Sequence, residues 1–323
     1  MTKYIIRRIL LSIPVLIAIS LATFLMIQAL PGGPFDVVGT KAMPEQMRQL
    51  LERRYGLDQP LYEQYFLYIG NLLTGDLGPM LRFRGQNVND IVAQSLPVSM
   101  QLGVLAIGLG FVIGLPAGII AALKHNSIID NAATFVAVLG VSIPNLVLGP
   151  LLILVFGVYL DWFPIAFWGA DPPFILGIFP QPTAEFWLHA VMPTFALGTG
   201  ISASVARLTR AGLLEVMTED YIRTARAKGL RERVVIIIHA LKNSLIPVAT
   251  ILGPLLAALL TGTFVIEQIF ALNGLGRYFV NSVNQREYFL LTSITLVYGL
   301  FLIVGNLFVD IMYAWLDPRI RYD

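Results

Sequence analysis

Six stretches of this chain are apolar and long enough to cross a lipid bilayer, and no other property narrows its possible folds as much. A helix rises 1.5 Å per residue and the hydrocarbon core is about 30 Å thick, so one crossing needs roughly 20 mostly apolar residues. The stretches that qualify are Ile9–Leu30, Leu96–Leu123, Ala132–Leu160, Phe186–Val205, Leu245–Ile266 and Phe289–Leu316. The third and sixth exceed what a crossing needs, which predicts tilt or protruding ends. The sequence therefore reads as an all-α integral membrane protein with six transmembrane helices. Composition agrees: 56% of the residues are hydrophobic and 13% are charged, against about 25% charged in a soluble domain. A water-soluble surface cannot be assembled from that stock.

The distribution of basic residues predicts the orientation. Lys3, Arg7, Arg8, Lys124, eight basic residues from Arg207 to Lys242, and Arg319 and Arg321 fall on one side if both termini are cytoplasmic, as positive charge in short inner loops requires. The opposite loop Asp161–Glu185 contains no Lys or Arg. The first stretch follows Lys3, Arg7 and Arg8 as a signal peptide would, but it is longer than the usual apolar region of one. No small-residue cleavage site follows it, so it is expected to remain as the first span.

Three units result: residues 1–30, a cytoplasmic N-terminus and first span; residues 31–95, a small helical extracytoplasmic domain; and residues 96–323, a five-helix core containing a cytoplasmic loop over 207–243. In the outer domain, Pro44 opens a predicted helix over Glu45–Arg54 that stops near Gly56, and a second follows from Pro60 to Leu73. The turn formers Thr74-Gly75-Asp76-Leu77-Gly78 end it. This domain reads equally as a docking surface for a delivering protein and as a plug on the bundle.

In the loop, Thr218 is the expected N-cap of a short helix, with Glu219 and Asp220 in its first turn and Arg226 and Lys228 in its last turn before Gly229. A second helix is expected over Arg231–Lys242. Ile222, Ala225 and Gly229 recur at spacings of three and four, giving a narrow face of mostly small residues that could lie in a groove of another protein. The same basic loop is also what plain anchoring to anionic lipid would look like.

Several chemistries are excluded. Cysteine is absent and the three histidines, His125, His189 and His239, lie far apart, which speaks against disulfides, thiolate catalysis and metal centres. A net charge of +2 with clustered cations gives no case for nucleic acid. No glycine-rich phosphate cradle ending in Lys-Ser/Thr occurs. Ionisable groups are nearly missing from the spans, where Glu267 and Asp310 stand near ends, so ion-coupled transport is disfavoured. Asp310 is expected to pair with inner-side cations, and Glu267 to sit at the outer interface. Prolines and neutral polar groups are frequent instead, among them Pro116, Pro144, Pro150, Pro193, Pro254 and Gln101. Gly110, Gly114 and Gly118, four apart, allow close helix approach.

The run Tyr221-Ile222-Arg223-Thr224-Ala225-Arg226-Ala227-Lys228-Gly229-Leu230, followed by His239-Ala240-Leu241 and Pro247, resembles the inner-loop signature of binding-protein-dependent ABC permeases. The branch it most resembles is the dipeptide/oligopeptide and nickel branch, in its first permease subunit. Similar in the same way are Pro31-Gly32-Gly33-Pro34, Tyr55-Gly56-Leu57-Asp58-Gln59-Pro60, Gly75-Asp76-Leu77-Gly78, Val265-Ile266-Glu267 through Gly276, and Asp317-Pro318-Arg319-Ile320-Arg321. The chain departs from the branch pattern at Asn273-Gly274-Leu275-Gly276 and at Arg286-Glu287-Tyr288.

The resemblance implies a type I ABC importer permease fold, and an ATPase-coupling helix whose residues are Glu219, Asp220, Tyr221, Thr224, Ala225, Arg226, Ala227, Lys228, Gly229 and Leu230. It implies partners: a homologous second permease subunit, two ATPase subunits carrying ATP and Mg, and an extracytoplasmic solute-binding protein, in the inner membrane. This chain itself would bind no cofactor and catalyse nothing. Peptide is the leading cargo, with nickel or another small solute as alternatives, along a path expected to include Ser142, Asn145, Thr250 and Thr261. An ATPase-independent channel or carrier, or a membrane scaffold, are the rival classes.

Overall fold

The computed structural model describes residues 2–29, 45–81, 86–260 and 262–316. Thr261, Pro31–Pro34 and the ending Asp317–Arg321, all singled out above, lie outside the described residues. The described chain is helical, with only two isolated bridges. Its helices are α1 (Thr2–Gln28), α2 (Glu45–Arg54), α3 (Leu61–Leu73), α4 (Val88–Leu123), α5 (Ile128–Ser142) and α6 (Asn145–Leu152), the last prolonged by a π-helical stretch over Ile153–Tyr159. Then come α7 (Ala184–Val216), α8 (Asp220–Ala227), α9 (Glu232–Val234), a second π-helical stretch over Val235–Ala240, α10 (Leu241–Ser244) and α11 (Ile246–Leu260). Three more, α12 (Phe264–Ile269), α13 (Leu275–Gln285) and α14 (Tyr288–Leu316), end the described chain.

Glycine decides how the central pair meets. A methyl group at Gly114 would lie 2.5 Å from the carbonyl oxygen of Ser202, and one at Gly118 the same distance from that of Ala206. The three glycines spaced by four on α4 thus let its backbone rest on that of α7, where any side chain would hold the helices apart. The partners advance together along both helices, from Gly110 at Ile201 to Gly118 at Thr209, so α4 and α7 run parallel.

That parallel contact dictates the chain path. α4 and α7 both end on one face, so residues 124–183 must return across the bilayer once. The sequence predicts one span over Ala132–Leu160 with Pro144 in its interior; the structure bends it by 97° between Ser142 and Asn145. Pro144 is the cause, because proline supplies no amide hydrogen to the helix and pushes its predecessor into extended geometry. Ile143 accordingly has φ −85° and ψ 113°, and Pro144 φ −62° and ψ 142°. The fifth span is likewise two segments, Glu232–Ser244 and Ile246–Leu259, meeting at 47°. Among the described residues four unbroken helices are long and apolar enough to cross a membrane, and six spans result when each bent pair is taken as one.

The remaining helices fill in around this pair. α14 returns antiparallel to α1, with Gly299 against Leu16 and Ile19 and with Arg8 ion-paired to Asp310, the pairing expected of that aspartate. The start of α1 and the end of α14 therefore share a face with the ends of α4 and α7, here termed the terminal face. α11 crosses α14 where Gly253 meets Gly305, a methyl on Gly305 falling 2.7 Å from the Gly253 carbonyl oxygen. Helices α4 and α7 are longer than the sequence predicts, 36 and 33 residues, or about 54 and 50 Å. They project beyond a 30 Å hydrocarbon layer, and α4 starts eight residues before the predicted Leu96.

At the opposite, distal face a buried polar network fastens the loops. Trp168 packs edge-on against Phe186 at 5.4 Å and donates its indole N–H to Gln101 Oε1 at 2.6 Å, while Gln101 donates to the Ile178 carbonyl at 2.5 Å. Glu267, expected at an interface, is fully buried. Its carboxylate accepts from the Ser99 hydroxyl at 2.8 Å and from the amides of Thr263 and Arg277 at 3.0 and 2.9 Å. Ser99 Oγ in turn accepts from the Leu275 amide at 2.8 Å. A buried carboxylate is tolerated only with such a set of donors.

The glycine contact is testable by substitution. Gly114→Val is expected to destabilise the bundle by about 1–3 kcal/mol or more through overpacking, read as a lower apparent melting temperature in detergent. Gly108→Ala, where nothing lies within 4 Å of the added methyl, is expected to be neutral or slightly stabilising.

Candidate functional site

Among the described residues, α8 on the terminal face is the segment whose local sequence, packing and exposure together suggest a contact with another protein. Helix α8 is short because both ends are specified. Gly229 has φ +76°, a left-handed geometry that glycine adopts without penalty. Its amide donates to the Arg226 carbonyl at 2.9 Å, and that of Leu230 to the Ala225 carbonyl at 3.4 Å, the paired closing bonds of a Schellman ending. The start differs from the expectation. Glu219, not Thr218, is the N-cap, and the Thr218 hydroxyl instead donates to the Glu215 carbonyl at 2.7 Å, finishing α7.

The small-residue face expected to meet a partner is turned inward. Ile222 is fully buried and Ala225 is 6% exposed, in a cluster with Ala122 at the end of α4, Leu213 on α7, and Val235 and Ala240. The physical reason is that Ile222 and Ala225 form the apolar side of a helix that also carries Asp220, Arg223 and Arg226, and the chain's own bundle ends supply an apolar surface to cover it. Two polar clamps hold the seat. Arg226 reaches both carboxylate oxygens of Glu232, at 2.8 and 3.2 Å, and Asn243 donates to the Tyr221 hydroxyl at 2.9 Å. Below them α7 and α10 touch backbone to backbone, since a methyl on Gly212 would collide with the Ser244 carbonyl.

The face left outward is therefore different from the one the spacing suggested. Glu219, Asp220, Tyr221, Thr224, Arg226, Ala227, Lys228, Gly229 and Leu230 are all exposed, whereas Ala225 is not.

A second ion cluster on this face was not marked by sequence reasoning. Asp130, in the first turn of α5 and 1% exposed, receives Arg210 Nε and Nη2 from α7 at 2.6 and 2.8 Å. The Asn126 amide donates to it at 2.9 Å and His125 lies 3.3 Å away. The available signal was a lone carboxylate just after Ser127, whose hydroxyl caps α5 by accepting from the Asp130 amide. This bidentate pair ties the root of the bent third span to α7.

Three of the four expected path residues, Ser142, Asn145 and Thr250, lie among the described residues. Ser142 and Thr250 are exposed, with hydroxyls bonded back to the carbonyls of Val138 and Ile246 at 2.7 and 3.0 Å. Asn145 is half-buried as the first residue of α6, beyond the bend. Among the described residues no group of three or more His, Asp or Glu could hold a metal ion.

Residues 114–322 match the family described as binding-protein-dependent transport system inner membrane component, and residues 1–102 match the family of its N-terminal part. The dipeptide transport system permease protein DppB of Bacillus subtilis (strain 168) is 43% identical over 321 residues, covering 99% of this chain and 98% of that one. The oligopeptide transport system permease protein OppB of Escherichia coli (strain K12) is 39% identical over 322 residues, covering all of both. Among solved structures, the MetNI methionine ABC transporter in its inward facing CY5 native crystal form superposes with a TM-score of 0.50 at 19% identity. That match covers 68% of this chain and 94% of the MetNI chain, and bears on the fold alone.

The two kinds of contact that seat α8 should separate on mutation. Ile222→Ala is expected to cost about 2–5 kcal/mol of local packing, seen as faster hydrogen exchange over residues 219–230. Arg226→Gln, which removes an exposed ion pair, should cost at most about 1 kcal/mol.

Proposed function

This chain belongs to the binding-protein-dependent transport system inner membrane components, and from that membership we propose that it is the permease subunit of an ATP-driven importer of di- or oligopeptides, joined to its ATPases through α8. It is a multi-pass membrane protein with the type I ABC importer permease fold. The peptide cargo is supported by full-length relatives named for dipeptide and oligopeptide transport; nickel or another small solute is the alternative. The chain forms half of a pathway with a homologous second permease. A solute-binding protein delivers cargo to the distal face, which is extracytoplasmic, and the terminal face, with both chain ends, is cytoplasmic.

The observation that carries this reading is how α8 is mounted. Its inner side is locked to the ends of α4 and α7 and to the root of the fifth span, while its outer side is free. A push on Tyr221, Thr224, Ala227 or Lys228 is therefore not absorbed by a yielding loop. It moves the glycine-packed α4–α7 pair as a rigid body, the kind of motion by which packed helices pass between two arrangements. ATP and Mg belong to the ATPase subunits, and this chain performs no catalytic step itself.

Substitution on the free side tests the coupling. The double change Ala227→Trp and Lys228→Glu leaves the packed side intact, and is expected to lower both ATPase co-purification and ATP-dependent peptide uptake in proteoliposomes about tenfold or more, as for a central interface residue. Unchanged recruitment and uptake would refute the role of α8. Peptide flux through this chain reconstituted without ATPases would favour an autonomous channel or carrier instead.

A further inference from the structure

Helix α3, assigned by sequence to an extracytoplasmic domain, is mounted on the side of a membrane span. Tyr65 places its hydroxyl 2.9 Å from Ser20 Oγ and 3.4 Å from the Ile17 carbonyl of α1, and its ring 5.5 Å from that of Phe24. Ser20 lies eight residues before the end of α1 at Gln28, about 12 Å along the helix, so this contact falls well inside the apolar span. Higher up, Gln28 bonds Gln64 at 3.2 Å.

The outward side of α3 matches that depth. Tyr62, Phe66 and Leu73, on one stripe at spacings of four and seven, are 63%, 70% and 82% exposed. The helix contains one ionised side chain, Glu63, and no Lys or Arg. In water such a stripe would be a liability; in the interfacial layer of a bilayer it is the expected surface, with the tyrosine at headgroup level.

Between α1, α3 and α14 lies a cavity of about 450 Å³. Its lining combines Phe24, Leu67 and Phe289 with polar Gln28 and with Arg53 and Arg54 from the last turn of α2. Both arginines are exposed and neither has an ion pair among the described residues. Apolar side chains beside a membrane span, lining one cavity with two guanidinium groups that have no ion pair, complement an amphiphile with an anionic head.

We propose that α3 is immersed in the distal leaflet and that this cavity holds the phosphate headgroup and glycerol of an anionic phospholipid, whose acyl chains lie along the exposed sides of α1 and α3. The site needs only the membrane architecture and is independent of the cargo and of which partners dock.

Two measurements on the full-length chain test it. Since the chain has no cysteine, Phe66→Cys carries a single spin label in nanodiscs of phosphatidylglycerol and phosphatidylcholine. Immersion predicts that oxygen reaches the label and a water-soluble nickel chelate does not; access by the chelate, or protection that appears only when other subunits are added, overturns the proposal. In the second, native mass spectrometry compares retention of phosphatidylglycerol and phosphatidylcholine. The wild-type chain is expected to prefer phosphatidylglycerol and Arg53→Gln/Arg54→Gln to lose roughly 30-fold of that preference, two interfacial arginines being worth about 1 kcal/mol each. Arg53→Lys/Arg54→Lys should keep most of it. An unchanged preference in the glutamine variant overturns the site.

Discussion

Backbone rests on backbone where α4 meets α7, and most of the architecture follows from that contact. Lipid tails are as apolar as leucine, so burying oily side chains cannot by itself pull two helices together in a membrane; close van der Waals packing can. Gly110, Gly114 and Gly118 remove the side chains that would prevent it. Because the two helices lie parallel, the intervening 60-odd residues, from Lys124 to Thr183, have to climb back across the bilayer. The bent third span is the result, and its bend brings the loop bearing Trp168 over the distal end of the bundle. The same contact sets the ends of α4 and α7 side by side on the terminal face, where they form the seat for α8.

Polar networks then fix the two ends of the bundle, one on each face. Around Glu267, three glycines, Gly262, Gly274 and Gly276, approach the carboxylate so closely that a side chain on any of them would strike it or the adjoining backbone. Around Asp130, a bidentate arginine and a capping serine serve the same end. Each network joins segments far apart in sequence, Ser99 to Glu267 and Asp130 to Arg210. Removing one member would leave a buried charge without its partners, which costs far more than the pairing gains. Such joints hold discrete arrangements rather than a continuum.

The mounting of α8 illustrates where reading residues one element at a time goes astray. Its end was legible and its start fell one residue from the expected cap: Gly229 ends the helix for the reason glycine usually does, and Asp220 and Arg226 occupy the turns the helix dipole favours. Its orientation was not. The stripe of Ile222 and Ala225 announces that something apolar covers it, but periodicity does not say whether the cover is another protein or the same chain. The ends of α4 and α7 provide it, so the side left exposed is the one with Tyr221, Thr224, Ala227 and Lys228. Likewise, Tyr62, Phe66 and Leu73 sit in a segment whose sequence reads as an outer domain, and only the structure places Tyr65 of that segment against the flank of α1.

What the sequence determined by itself is everything governed by local chemistry. Runs of apolar residues set the six crossings, and Gly56 and Gly229 set helix ends, because each depends on a residue and its near neighbours. Only the tertiary structure decided that Pro144 breaks a span by 97°, that α4 and α7 run parallel, that Glu267 is buried, and which side of α8 is free. Those outcomes depend on which surfaces meet across the bundle, and a pattern of hydrophobicity specifies that a face must be covered without specifying by what.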